Sequence, residues 1–273
     1  MVSYKPATLR EALEIRARGG VVPYAGGTDL MIEAEPDASY LFLSDIPELR
    51  SIEVVDGNLE IGAAVTYTQA LSSPLVPEIL KEAIRYIAAP AIRNTGTMGG
   101  NVANGSPKAD SALVFAVTDS TLRLEHADGV REIPINEFYL GRGKTCLGEN
   151  ELLTKIVMPL REVRNYYYHK VGARGALAIA RVSFAGLLRV EGGIIRHAAT
   201  AYGAVAGTIL RRPDIDGILI GRTIEEARKI RGDYLSAQDE AIVPIRGRIS
   251  AEYRKRVVMN LLSDFLTQNG ITP

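Results

Sequence analysis

Between Pro90 and Pro107 the chain shows no hydrophobic periodicity and carries four glycines, Gly96, Gly99, Gly100 and Gly105, among Thr95, Thr97, Asn101, Asn104 and Ser106. Such a stretch has no apolar face to bury, so it is expected as a loop or a backbone platform. Its flanks carry helical patterns. Glu78 to Ala89 places Ile79, Leu80, Ala83, Ile84 and Ile87 at helical spacing with Pro90 as the stop, and Asp110 to Val117 is a short apolar helix.

The remaining elements mix both periods. Thr8-Leu9-Arg10-Glu11 has the spacing of a capping box, and the apolar face begun by Leu9, Ala12 and Leu13 ends at Gly19-Gly20. Val21 to Tyr24 reads as a short strand that runs into the glycine pair Gly26-Gly27. Tyr40 to Leu43, Leu59 to Gly62 and Leu152 to Met158 read as strands, and Thr121 to His126 alternates with Val130 to Ile135 around an Asp128-Gly129 turn. The run Tyr166-Tyr167-Tyr168 reads as a half-buried strand. A long hairpin follows, Ser183 to Val190 and Ile194 to Gly203, and helices at about Thr223 to Arg231 and Ala251 to Gln268 close the chain. Together these elements indicate an α+β fold, with a second domain starting near Tyr166.

Composition narrows the function. With 273 residues, 47% hydrophobic, the chain can bury a sizeable core in one or two domains. Lys+Arg and Asp+Glu both number 32, so no field of one sign draws in nucleic acid or an anionic membrane. A single cysteine, Cys146, and three scattered histidines, His126, His169 and His197, do not form a metal or iron–sulfur ligand set. The first residues hold no continuous apolar run of signal-peptide type, and no segment of membrane-spanning length is free of charges or breakers; the expected location is the cytoplasm.

Gly26-Gly27 after a strand lets backbone N–H groups converge on a phosphate, with Thr28 adding a hydroxyl, although a plain strand-ending turn has the same pattern. Neither Gly-x-Gly-x-x-Gly nor Gly-Lys-Ser/Thr is present, which disfavours a Rossmann or P-loop nucleotide site. Thr97-Met98-Gly99-Gly100-Asn101 repeats the combination of close-approach backbone and polar side chains. Two such platforms suit a long ligand, and FAD, with a diphosphate, a ribitol and a ring system, needs separated sets of donors.

Ala25-Gly26-Gly27-Thr28-Asp29-Leu30 and Ile92 to Asn101, followed by Ser106-Pro107-Lys108-Ala109-Asp110-Ser111, resemble the FAD-binding medium subunits of xanthine dehydrogenase and carbon monoxide dehydrogenase type molybdenum hydroxylases. Tyr168-His169-Lys170-Val171 and Ser250-Ala251-Glu252-Tyr253-Arg254 extend the resemblance over nearly the whole chain. It implies an FAD-binding domain of the PCMH/vanillyl-alcohol-oxidase-like type over residues 1–165, with subdomains of about 1–50 and 51–165, and a smaller C-terminal α+β domain over 166–273 like that of CO dehydrogenase flavoproteins. Ala25 to Leu30 would wrap the FAD diphosphate, with Gly26 and Gly27 amides as donors and Thr28 and Asp29 lining the loop. Thr97, Met98, Gly99, Gly100 and Asn101, with Asn104 beyond them, would form the second platform along the diphosphate and ribitol. Asp110 matches an acidic position near the cofactor and equally suits the N-cap of the helix it opens. Leu153 and Lys170 match positions near the flavin, and Ile87 falls where some relatives carry a stacking aromatic and also suits plain core packing.

The same resemblance implies a division of labour. A molybdenum-cofactor large subunit oxidises the substrate, an iron–sulfur small subunit with [2Fe-2S] clusters passes electrons singly, and this flavoprotein collects them and delivers them to NAD+ or another acceptor. No general acid or base is demanded of this chain. The rival readings are a self-sufficient FAD-dependent oxidase or dehydrogenase of the same FAD-binding fold, and a scaffold whose cofactor site has decayed.

Overall fold

The structure is a computed structural model that describes residues 2–32, 34, 35, 37–161, 163–175, 177–247 and 249–273. It opens on the helix Leu9–Ala17, where the Thr8 hydroxyl accepts from the Glu11 N–H as the sequence suggests. The Glu11 carboxylate accepts from Ala7 N–H at 2.8 Å, one residue before the cap, so the reciprocal half of the box is displaced by one position. Gly19 and Gly20 both take positive φ and turn the chain into the strand Val22–Tyr24, which pairs in parallel with Tyr40–Phe42. Ala12, Leu13 and Ile15 pack this helix on Leu41, Leu43, Ile46 and Leu49, a small core of its own.

A five-stranded antiparallel sheet forms the next layer, in the order Ile52–Val55, Asn58–Gly62, Leu152–Pro159, Thr121–His126, Gly129–Pro134. Its central strand is the last to arrive in sequence. Leu59, Ile61, Leu122, Leu124 and Ile156 share a core with the helices Glu78–Arg85 and Asp110–Val117. All of Asp110–Val117 is buried. A helix apolar on every side must be covered on every side, and its far face meets Ala185, Leu187, Ala199 and Ala201 of a second sheet.

That second sheet is four-stranded and antiparallel, in the order Tyr166–Val171, Val182–Glu191, Ile194–Gly203, Leu210–Arg211. Alternation along its strands sends Val182, Phe184, Leu188 and Tyr202 to the opposite face, against Val258, Leu262 and Phe265 of the helix Ala251–Gln268. A β-carbon on Gly186 would lie 2.9 Å from the Phe265 ring, so glycine there sets how closely helix and sheet approach. Among the described residues no helix is long and apolar enough to cross a membrane.

The sequence reading and the structure part company in several places. The aperiodic stretch after Pro90 is not a loop throughout: it holds the helical turn Pro90–Arg93 and the helix Met98–Ala103, capped by Thr97 on Gly100 N–H. The helical run expected to Ala89 ends at Arg85, because Ala88 turns left-handed with φ 41° and Pro90 then starts a new turn instead of closing the old one. The helix Arg231–Ala241 and the exposed edge strand Ile52–Val55 were not anticipated; neither has a strong apolar stripe.

Candidate functional site

A cavity of about 400 Å³ opens between the N-terminal elements and the five-stranded sheet. That volume falls within the range of small-molecule sites. Its wall takes Pro23 to Leu49 from one side and Ala63 to Leu153 from the other.

The polar end is Ala25 to Leu30. Pairing with Tyr40–Phe42 ends at Tyr24, and Gly27 at φ 67° bends the chain away from the sheet. Among the described residues, the backbone N–H groups of Gly26, Gly27, Thr28 and Asp29 donate to no protein acceptor. Successive free amides in a bend are a ready anion site. The amides of the second glycine segment are differently engaged: Met98 N–H donates to Val65 O, Gly99 N–H to Ala63 O (both 2.9 Å) and Gly100 N–H to Thr97 Oγ1 at 3.1 Å. This segment therefore contributes side chains and close packing to the wall, through Thr97, Asn101 and Asn104 with Gly99 and Gly100. Asn101 Oδ1 accepts from Ser111 Oγ at 2.6 Å, which anchors the amide and leaves its Nδ2 without a protein partner among the described residues.

The two glycine segments touch. A β-carbon on Gly26 would overlap the Thr95 carbonyl oxygen and lie 2.7 Å from its carbon, and Asn104 Nδ2 donates to Asp29 Oδ2 at 2.6 Å. A β-carbon on Gly27 would strike the Tyr24 phenol and not the cavity. Tyr24 is itself held edge-on by Tyr40 and tilted against Phe42.

The rest of the wall is apolar: Leu43, Leu49, Ile87, Ile92, Leu147, Leu152 and Leu153, with buried Tyr67. Burial, and then the Asp110 charge, push the Tyr67 hydroxyl well above its ordinary pKa. Asp29 and Tyr67 are the titratable side chains of the wall, so the cavity is built to hold a ligand more than to move protons.

Of the residues singled out in the sequence, Ala25 to Leu30, Ile87, Thr97, Gly99, Gly100, Asn101, Asn104 and Leu153 meet in this one cavity. Met98, Asp110 and Lys170 stand behind it. Met98 is fully buried in the core. Asp110 does not cap its helix: Ala109 is the N-cap, and the Asp110 carboxylate accepts from Lys170 Nζ at 2.6 Å and from the Tyr168 hydroxyl at 3.2 Å. Burial raises the Asp110 pKa while Lys170 and Tyr168 hold it down. Lys170 Nζ also donates to Tyr86 O at 2.9 Å, tying the second sheet to the residue before Ile87. Sequence reasoning missed Tyr67, Leu43, Leu49, Ala63, Ala64, Ala88, Leu147 and Leu152. Only Tyr67 had a local sign, the capping box Thr66/Gln69 that starts its helix Tyr67–Ser72.

The sequence pattern described as the FAD binding domain in molybdopterin dehydrogenase matches residues 1–161, and that of the CO dehydrogenase flavoprotein C-terminal domain matches residues 166–269. The chain is 34% identical over 219 residues to a putative xanthine dehydrogenase FAD-binding subunit of Escherichia coli, with 76% of this chain and 75% of that one covered. Over 217 residues it is 32% identical to the carbon monoxide dehydrogenase medium chain of Hydrogenophaga pseudoflava, covering 78% and 75%. A chain of the solved carbon monoxide dehydrogenase from the same organism, in a form lacking the Mo-pyranopterin moiety, is similar with a TM-score of 0.87 at 28% identity over 96% of this chain and 94% of that one. The chain belongs to the FAD-binding subunits of the molybdenum hydroxylase family, the flavoprotein part of oxidoreductases of the xanthine and carbon monoxide dehydrogenase kind.

Proposed function

We propose that this chain holds FAD in the cavity and relays electrons from a partner iron–sulfur subunit to NAD+ or another acceptor, while a molybdenum-cofactor subunit oxidises the substrate. The observation that carries the reading is the row of free amides on Gly26 to Asp29 at one end of a cavity that is otherwise apolar. A diphosphate needs such donors, and a flavin ring needs an apolar wall. Bound FAD supplies the redox chemistry. The chain's own residues bind and orient it: the Gly26 to Asp29 amides donate to the diphosphate, Thr28, Asn101 and Asn104 offer polar groups to the hydroxyls, and the leucine and isoleucine wall excludes water. In this reading residues 1–165 form the FAD-binding unit, with the cavity between its lobes of about 1–50 and 51–165, and residues 166–273 brace it through Lys170.

The partner roles rest on the relatives, whose names are those of subunits or chains of larger dehydrogenases. Flavin released from the purified chain should run as FAD. Co-expression with candidate iron–sulfur and molybdenum subunits should give one species on size-exclusion chromatography, with dye-linked or NAD+-linked turnover only in that complex. Recovery of FMN, or of no flavin after reconstitution, would overturn the cofactor assignment; substrate oxidation by the isolated flavoprotein would favour the self-sufficient oxidase.

A further inference from the structure

Ala88, in the cavity wall, adopts φ 41°. A residue with a β-carbon persists in this left-handed region only where its surroundings over-determine it. At Ala88 they do. Arg93 Nη1 donates to Ile87 O and to Ala88 O, both at 2.7 Å, and Lys170 Nζ holds the preceding carbonyl of Tyr86. Three consecutive carbonyls are thus fixed by two cations, one from the turn that follows and one from the second sheet.

The arrangement recurs in this chain. Leu177, with φ 53°, has its carbonyl held by Arg174 through Nε at 3.2 Å and Nη2 at 2.6 Å. Ala204, with φ 62°, has its carbonyl held by Arg254, whose Nη1 also donates to Arg181 O at 2.8 Å. A guanidinium suits this task because it is always charged and presents several donors in a fixed fork. The other two non-glycine residues with positive φ among those described, Asp56 and Asp119, carry polar side chains of the kind that tolerates the region.

We infer that Arg93 is a positioning residue for the cofactor: it holds the Ile87–Ala88 turn in its left-handed form so that the turn closes the apolar side of the cavity. The inference rests on the proposed FAD site. Arg93 itself does not line the cavity, so its effect passes through the backbone it holds. Without the clamp, the left-handed Ala88 relaxes and Ile87 and Ala88 leave the wall.

The test uses the full-length chain stripped of flavin and titrated with FAD, alongside amide hydrogen exchange of the flavin-free protein. Arg93→Gln should raise the FAD dissociation constant about tenfold, the scale of one strained residue released. Exchange at residues 86–89 should rise in the same variant before any flavin is added. Adding Ala88→Gly, which removes the penalty on φ, should restore most of the affinity to Arg93→Gln; a merely structural loss would not respond to it. If Arg93→Gln does not accumulate as folded protein, Arg93→Lys, with a single ammonium in place of the fork, carries the comparison and should fall between the two. Unchanged exchange at 86–89 would overturn the clamp, and unchanged affinity would overturn its role in the site. Failure of the unsubstituted chain to bind FAD would sink the proposed function instead, and the exchange result on the flavin-free chain separates the two.

Discussion

Asn104 reaches back 75 positions to Asp29, its Nδ2 donating to the carboxylate Oδ2 at 2.6 Å. This bond latches the loop with the free amides to the second glycine segment, whose own amides are already used. Asp29 and Asn104 are both exposed, so the latch shapes the cavity without supporting the core.

Asn104→Ala should therefore weaken FAD binding by about 1 kcal/mol, roughly fivefold, with little change in Tm. Titration of flavin-free protein with FAD, read beside a thermal melt, checks it. Equal affinity with or without the amide would show that the two segments stay together by packing alone.

Gly26→Ala acts on the same junction from the backbone side. The new β-carbon overlaps the Thr95 carbonyl, which is backbone and cannot swing aside. Overpacking of this kind costs about 1–3 kcal/mol, so Tm and flavin content should both fall. Gly232→Ala is the contrast: it meets nothing within 4 Å on the helix Arg231–Ala241 and should stabilise the protein by about 0.5–1 kcal/mol. Chemical denaturation of the two variants should move in opposite directions.

Lys170→Met leaves the Asp110 carboxylate buried without its cation, and breaking such a pair costs about 3–5 kcal/mol at neutral pH. The pH dependence follows from the sign of the Asp110 shift. Burial raises its folded pKa above the unfolded value, so its contribution favours the folded state at low pH and is lost as pH rises through the folded value. Removing Lys170 raises that value further. The Tm gap between Lys170→Met and the unsubstituted protein should narrow as pH is lowered from neutral toward the carboxylate range; a gap that widens on acidification would contradict this account.

Asp216 offers a control outside the cavity lining. Its buried carboxylate accepts from Thr200 N–H at 2.9 Å, Thr200 Oγ1 at 2.7 Å, Tyr234 OH at 2.8 Å and Gln238 Nε2 at 3.1 Å, and pairs with Arg211. Asp216→Ala leaves the buried Arg211 guanidinium with Asp119 alone, at 3.1 Å, and takes the acceptor from the Thr200, Tyr234 and Gln238 donors, and it should cost about 3–5 kcal/mol. The folded fraction should bind FAD with unchanged affinity. A drop in intrinsic affinity would mean that the C-terminal sheet reaches the cofactor by more than the Lys170 contact.

The sequence makes legible the elements whose periodicity is local. Asp110–Val117 and Ala251–Gln268 have the bounds their apolar spacing indicates, and the hairpin Val182–Glu191 with Ile194–Gly203 turns at its glycine pair, because each residue's burial there depends on neighbours two to four positions away. It also marked Ala25 to Leu30 and Thr97 to Asn104, since glycines among hydroxyl and amide side chains are visible in one dimension. Tertiary structure alone decided what those segments do. Met98–Ala103 is a helix because Thr97 caps it and because Gly99 lies against Ala63, a contact no local pattern announces. The same holds for Leu43, Leu49, Leu147 and Leu152, ordinary core residues in sequence that become cavity wall only when the parallel strand pair and the five-stranded sheet face each other. Asp110 shows the difference at a single residue: its place at the start of a helix suggested a cap, but a carboxylate buried beside Lys170 is held by the nearest cation, and that neighbour comes from a strand 60 positions away.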